Sequence, residues 1–179
     1  MADYIEAAAT VGGAIAEMAP THRQCSIEIK NETKDFSLGN PSMHIVSGSC
    51  AIPPPPFIDP SKSGNAQFVK TPHTACGSVG VFTYDLLKKV ADQPAVKIAV
   101  MFSVPYDFNM YSNWYAVGIF DKSKECNYDL YYEMYNNTHQ SFVRDKANSC
   151  LKHKGDHVTV TATMSDSYQP LIKLQVRDP

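Results

Sequence analysis

Segments in which apolar and polar residues alternate recur along this chain. The alternation is clearest over residues 25–30, 96–104 and 158–164, where every second residue is apolar. Because successive side chains of a strand point to opposite faces, this pattern predicts strands that bury one face. Further strands are predicted at residues 43–50, 66–70, 78–84, 113–120 and 171–177, separated by turn-forming stretches such as the prolines at 53–56. Many short strands at this spacing predict a mainly β, single-domain sandwich.

The bulk composition excludes several classes of function. The chain has 179 residues, a formal net charge of -2 and a pI near 6.3, so no overall charge attracts nucleic acid or anionic lipid. Its five cysteines are widely spaced, which argues against a zinc or redox motif and leaves at least one thiol unpaired in a monomer. His153, Asp156 and His157 favour a solvent-facing turn over a metal site. No catalytic pairing is visible, so neither an enzyme nor a cofactor is predicted.

The first residues lack the basic start and apolar centre of a secretory signal. No apolar stretch approaches the roughly 18 residues that a transmembrane helix needs. We therefore expect a soluble, leaderless protein, cytosolic or released, that associates with target membranes through local features.

Two segments show helical spacing. Residues 2–19 predict an amphipathic helix that ends at Pro20, whereas the tyrosines of residues 127–137 predict a short second helix. Eighteen helical residues span about 27 Å, slightly less than a hydrocarbon core of about 30 Å. The first helix could therefore insert into a bilayer or pack its apolar face on the sandwich, and both interpretations stay open. The domains are then residues 1–20, the candidate inserting segment, and residues 21–179, the sandwich.

Aromatic residues are concentrated in one part of the chain. Seven of the ten tyrosines lie between Tyr106 and Tyr135, together with the only tryptophan, Trp114. A tyrosine ring attracts a cation and its hydroxyl binds an anion, so these residues suit the ammonium and phosphate of phosphocholine. We expect Phe108, Met110 and Tyr111 at an exposed loop tip. Filling of the sandwich core is the alternative explanation of these aromatic residues.

The segment 102–115, which reads FSVPYDFNMYSNWY, resembles the central motif of the actinoporins, the sea-anemone pore-forming toxins, and of their animal relatives. The spacing onward to YYEMYNN, beginning at Tyr131, also matches that family. The resemblance implies a sandwich flanked by two helices. It further implies that the first helix detaches, inserts into sphingomyelin-containing bilayers and oligomerises into a pore. The polar stripe of that helix holds Asp3, Glu6 and Glu17 and no basic residue, which suits a cation-selective lining.

The resemblance also implies site residues. The phosphocholine pocket carries over to Ser47, Val79, Ser103, Pro105, Tyr111, Tyr131 and Tyr135. The membrane-contacting residues are Phe108, Met110 and Trp114, and the inserting helix contributes Tyr4, Ile5, Val11, Ile15 and Met18. Met110 and Asn136 stand where the toxins have tryptophan and tyrosine, which weakens the expected attachment. The expected partners are phosphocholine lipids and further copies of the chain on the membrane. A non-lytic, carbohydrate-binding lectin is the alternative.

Overall fold

The computed structural model describes residues 8–11, 14–17, 22–89 and 93–179. Strands dominate these residues, and a single helix lies among the described elements. In chain order the strands are β1 (Ala8–Val11), β2 (Ala14–Glu17), β3 (Gln24–Glu32), β4 (Phe36–Ser47), β5 (Ser49–Ile52), β6 (Phe57–Ile58), β7 (Ser63–Val69), β8 (Ser78–Lys88), β9 (Val96–Val104), β10 (Trp114–Asp121), β11 (Phe142–Lys146), β12 (Cys150–Lys154), β13 (Thr159–Met164) and β14 (Leu171–Arg177). The helix α1 (Tyr128–Asn136) lies between β10 and β11.

Two six-stranded sheets form the sandwich. The first sheet has the order β11-β10-β9-β8-β4-β6 and the second has β12-β13-β14-β3-β7-β5. Neighbouring strands are antiparallel except β14 and β3, which run parallel. Apolar residues of both inner faces fill the space between the sheets, where the Phe68 ring stacks on Phe82 and lies tilted against Phe102. The predicted sandwich is therefore confirmed, as the alternation of apolar residues requires.

Seven of the eight predicted strands recur as single strands, and two of them, residues 96–104 and 171–177, have the predicted bounds. The single strand predicted at residues 43–50 is wrong, because the chain passes at Gly48 from β4 to β5, which lie in different sheets. Besides β1 and β2, which lie in the predicted first helix, three strands were not predicted. Strand β6 has only two residues, and β12 buries only Leu151, so neither carries a run of alternating apolar residues. Strand β11 begins with Phe142 and Val143 and continues with three charged residues, which reads as a loop. All three strands lie at the edge of a sheet, where a strand buries fewer side chains. Their edge position therefore explains why the sequence pattern did not reveal β6, β11 and β12.

The predicted N-terminal helix is wrong where the structure describes that segment. Ala8–Val11 and Ala14–Glu17 are antiparallel strands in which Val11 pairs with Ala14. Two glycines, Gly12 and Gly13, separate the paired residues in the sequence. A two-glycine connection favours a tight hairpin, and glycine disfavours a helix interior by about 1 kcal/mol. The predicted inserting residues Val11 and Ile15 belong to these strands, and the others, Tyr4, Ile5 and Met18, lie outside the described residues.

The second predicted helix is confirmed as α1, at residues 128–136. The side chain of Asn127 accepts a hydrogen bond from the Leu130 N–H at 3.0 Å, which caps the first turn. One side of the helix is buried against the outer face of the first sheet, and it carries Leu130, Tyr131 and Met134. The helix therefore covers this face of the sheet, and its tyrosines are held at fixed positions on it.

A glycine directs the chain from the first sheet to the second. Gly48 joins β4 to β5 with φ of +93°, a conformation that residues with a Cβ rarely adopt. An added Cβ would also meet the Val69 carbonyl oxygen at 2.2 Å. This crossing fixes Ser47, the residue before the glycine, at the end of β4.

Candidate functional site

A row of paired residues crosses the first sheet on the face that carries α1. Ser47 pairs with Val79, Val79 with Ser103, Ser103 with Trp114, and Trp114 with Lys146. Directly paired residues of neighbouring strands share a face of the sheet. We call these five residues the site row. Three residues carried over from the family resemblance, Ser47, Val79 and Ser103, are therefore adjacent in the structure.

A bulge in β4 turns Ser47 toward this face. Ile45 pairs with Gly80, and Ser47 pairs with the next residue, Val79, so Val46 is the extra residue. Ile45 packs against the core between the sheets, whereas Val79 packs against the cluster under α1. Without the extra residue, the hydroxyl of Ser47 would point into the sandwich core.

Four aromatic rings form a ladder beside the site row. Tyr128 lies 5.8 Å from Tyr131, and the Tyr131 ring is nearly parallel to that of Tyr135, at 5.6 Å between centroids and 16° between planes. Trp114 meets Tyr135 edge to face at 6.5 Å. We call Tyr128, Tyr131, Tyr135 and Trp114 the aromatic ladder. Its order follows from helical spacing, because residues three and four apart share a helix face.

Tyr131 connects the ladder to the site row. Burial raises the pKa of its phenol to about 12, and hydrogen bonding with Ser103 offsets part of that rise. The phenol is therefore protonated throughout the physiological range and has a proton to donate in a hydrogen bond. A protonated phenol beside a serine hydroxyl is a pair of neutral donors suited to an anion.

Basic residues stand at one end of the ladder and a histidine at the other. The Arg144 guanidinium carbon lies 4.2 Å from the Trp114 ring centroid, and the Lys146 Nζ lies 5.8 Å from it. Arg144 also donates a hydrogen bond to the Tyr135 carbonyl, near the end of α1. At the opposite end, His44 contacts the Tyr128 ring edge to face. The site therefore has a positive end at Trp114 and a neutral aromatic centre.

The loop between β9 and β10 lies beside this surface. Asp107 organises it: its carbonyl accepts from the Tyr111 N–H at 3.0 Å, and its carboxylate accepts from the Asn109 N–H at 2.9 Å. Met110 is 72% exposed and Tyr111 is 56% exposed, which confirms their predicted exposure. Pro105 is half-buried directly after β9.

Phe108 does not share the exposure of this loop tip. Its ring is half-buried, packs against the sandwich core and meets Tyr168 edge to face at 4.9 Å. The Arg23 guanidinium carbon lies 5.1 Å from the same ring. The expectation that Phe108 is exposed is therefore wrong, because core, tyrosine and arginine contacts hold the ring down.

The structure brings together most, but not all, of the predicted pocket. Tyr131 and Tyr135 lie in the ladder with Trp114, close to Ser103. The ring of Tyr111 contacts none of the other rings in the described part of the chain, since it extends from the loop. The sequence reasoning missed Tyr128, Arg144 and Lys146 as members of the site. Helical spacing placed Tyr128 on the right face, but the basic residues lie on a strand that was not predicted.

This geometry defines a class of protein before any comparison. It is a β-sandwich with an exposed loop beside a surface that consists of the aromatic ladder, Arg144 and Lys146 and that we call the shelf. A family model described as sea anemone cytotoxic protein matches residues 7–177. The chain therefore belongs to the sea anemone cytotoxic protein family, the actinoporins.

Individual relatives support this membership. DELTA-alicitoxin-Pse1b of Phyllodiscus semoni is 34% identical over 125 residues, covering 68% of this chain and 51% of the relative. Bryoporin of the moss Physcomitrium patens is 26% identical over 155 residues, covering 87% and 84%. The chain spans about half the length of the sea-anemone toxins that it matches at 34% identity.

The fold also resembles a solved structure, that of the lipid-binding protein Nakanori, with a TM-score of 0.65 at 11% identity. The match covers 86% of this chain and 70% of that one. At this identity the likeness shows a shared fold. In the described residues, no helix has the length and apolar character to cross a membrane.

Proposed function

We propose that this protein binds membranes by recognising phosphocholine headgroups, as in sphingomyelin and phosphatidylcholine, on the aromatic ladder. The observation that carries the proposal is the stacking of Tyr131 and Tyr135 beside the Ser103 hydroxyl. Faces of tyrosine rings attract a quaternary ammonium, and the protonated phenol and the serine hydroxyl are donors for phosphate. Family membership supports the same surface, since it carries over Ser47, Val79 and Pro105 around these residues.

The exposed loop supports the membrane as the source of the headgroup. Met110 and Tyr111 project beside the shelf, and apolar and amphipathic side chains in that position enter the interfacial layer of a bilayer. Trp114 is half-buried in the ladder, so we assign it to the shelf and Met110 to the membrane contact.

Vesicle flotation tests this proposal. Vesicles of sphingomyelin or phosphatidylcholine are expected to carry the wild type upward, and vesicles of phosphatidylglycerol are expected to carry much less. The matched control is Phe57→Ala, which removes an aromatic side chain that is 61% exposed on β6, at the opposite end of β4. Equal recovery of the wild type and a Tyr131→Ala, Tyr135→Ala double variant would overturn the assignment. Binding to sugars on a glycan array, together with no binding to choline-lipid vesicles, would favour a lectin.

Permeabilisation is the second step of the proposal, supported by the family description as cytotoxic. In this step residues 1–20 insert after copies of the chain assemble on the bilayer and line a cation-selective pore. Leakage of a trapped dye from sphingomyelin vesicles is the measurement. Deletion of residues 1–19 should abolish leakage and leave flotation unchanged, whereas leakage that survives the deletion would refute this role of the segment.

A further inference from the structure

Strand β11 adds two cations to the shelf that family resemblance does not assign. Arg144 and Lys146 are two residues apart, so both side chains point to the face that carries α1. Lys146 pairs directly with Trp114, and Arg144 pairs with Ala116, the next residue of β10 on this face. Both cationic groups reach the Trp114 ring, at 5.8 and 4.2 Å from its centroid. The end of the ladder is therefore positively charged.

The Arg144 guanidinium has unused donors. Nη2 donates to the Tyr135 carbonyl, and the Nε–H is buried and out of reach of a ligand, whereas the terminal nitrogen Nη1 has no acceptor among the described residues. Within the described residues the side-chain ion pairs join Lys97 to Asp85 and Lys124 to Glu133, so no carboxylate there neutralises Arg144 or Lys146. An arginine fork with free donors matches the geometry of a phosphate.

The position of Arg144 also sets the direction of a bound headgroup. Its guanidinium covers Trp114, so that ring is not available to a choline ammonium on the same side. The stacked rings of Tyr131 and Tyr135 remain for the ammonium, and the positive end of the ladder repels it. In phosphocholine a short linker joins the ammonium to the phosphate. Trp114 pairs with Ser103 on one side and its ring contacts Arg144. The phosphate of a headgroup whose ammonium lies on the tyrosines is therefore placed between Ser103 and Arg144.

We propose that Arg144 and Lys146 form an anion subsite at Trp114 that binds the phosphate of the headgroup whose ammonium lies on the tyrosines. This inference rests on the proposed headgroup binding and adds the residues that fix its orientation. Headgroup phosphate then meets a planar, charged donor from β11, a serine hydroxyl from β9 and a protonated phenol from α1.

The single tryptophan makes the subsite directly measurable. Trp114 is the only tryptophan of the chain, so its fluorescence reports on ligands at this position. The wild type is titrated with choline, phosphocholine and inorganic phosphate, free of lipid. We expect phosphocholine to bind about tenfold more tightly than choline, since charge-assisted hydrogen bonds to phosphate are added. In Arg144→Gln this advantage should fall to about threefold or less, and choline should bind at least as tightly as to the wild type, because the cation that covers Trp114 and repels the ammonium is gone.

Further variants separate binding from folding. Arg144 also holds the end of α1, so thermal unfolding of each variant is followed by near-ultraviolet circular dichroism. Among the described residues, no hydrogen bond, ion pair or ring contact joins Lys146 to α1, so Lys146→Gln keeps the test valid if Arg144→Gln unfolds. Lys146→Gln should lower the phosphocholine advantage about threefold. The matched control is Lys152→Gln, which replaces an exposed lysine of β12 in the second sheet. It should leave the phosphocholine advantage unchanged.

The outcomes distinguish the two proposals. An equal phosphocholine advantage in the wild type, Arg144→Gln and Lys146→Gln would overturn the subsite even where vesicles still bind. Inorganic phosphate binding as tightly as phosphocholine would show a general anion site instead of a headgroup subsite. The proposed function itself would be refuted if the wild type did not bind vesicles of sphingomyelin or phosphatidylcholine.

Discussion

Replacement of Tyr135 by leucine tests the aromatic ladder at its centre. Tyr135 lies between Tyr131, at 5.6 Å, and Trp114, at 6.5 Å. Leucine keeps apolar volume and favours the helix, and the Tyr135 carbonyl that accepts from Arg144 is retained. The substitution therefore removes the ring face and the phenol while leaving the anchor of the helix end in place.

The expected effect on binding follows from the loss of one ring. A cation on a partly desolvated ring gains about 1–2 kcal/mol, so Tyr135→Leu should weaken binding to phosphocholine vesicles by about 5- to 30-fold. Two aromatic contacts are also lost, and each is worth about 0.5–1.5 kcal/mol. We therefore expect the free energy of unfolding to fall by about 1–2 kcal/mol, because leucine recovers part of the packing.

Flotation and urea unfolding measure the two effects separately. Vesicles of phosphatidylcholine over a range of lipid concentrations give the partition coefficient, and urea unfolding gives the stability of the same preparation. Phe57→Leu is the control, since it makes a comparable change at an exposed aromatic residue far from the ladder. A folded Tyr135→Leu variant that partitions like the wild type would refute the ladder as the binding surface, and so would an equal loss in Phe57→Leu.

Two further predictions concern the supports of the site. The pKa of Tyr131 is raised to about 12, so between pH 10 and 12 the unfolded chain loses this proton while the folded chain keeps it. Stability that is present below pH 10 should therefore be lost as the pH rises, by on the order of 2 kcal/mol from this residue. Urea unfolding at pH 8 and 11 should show a smaller loss for Tyr131→Phe than for the wild type, and an equal loss would contradict the burial argument. Asn127→Ala should lower the free energy of unfolding by about 1 kcal/mol, because the cap on the Leu130 N–H is lost. Asn127→Asp should restore most of that stability, and the absence of a difference between the two variants would show that the cap contributes nothing.

The sandwich and its second helix could be predicted because their signals are local. Strand β9 alternates along its whole length, and the tyrosines of α1 recur at helical spacing. Edge strands carry weaker signals, because one side of an edge strand has no neighbour to pack against. Strand β11 was missed for this reason, and Arg144 and Lys146 were missed with it.

The site residues differ in the same way: some are neighbours through local spacing, and others are neighbours only through the pairing of strands. Tyr131 and Tyr135 lie on one helix, so their spacing alone predicts that they are neighbours. Ser47, Val79, Ser103 and Trp114 come from four strands, and their alignment depends on sheet register. The bulge at Val46 decides whether Ser47 reaches the row at all. Periodicity does not reveal a bulge, which is why these residues entered the prediction through family resemblance and not through spacing.

The N-terminal segment shows how a helical pattern and a strand pattern can coexist in one stretch. Residues 2–19 place apolar residues at helical spacing, yet Ala8–Val11 and Ala14–Glu17 pair as strands around two glycines. Alanine carries little preference for a face, so it fits either periodicity, and glycine disfavours a helix interior. A membrane surface changes this balance, because an amphipathic helix buries its apolar face in the interface while satisfying its own backbone hydrogen bonds. The proposed insertion therefore requires Ala8–Val11 and Ala14–Glu17 to change from paired strands to a helix at the bilayer.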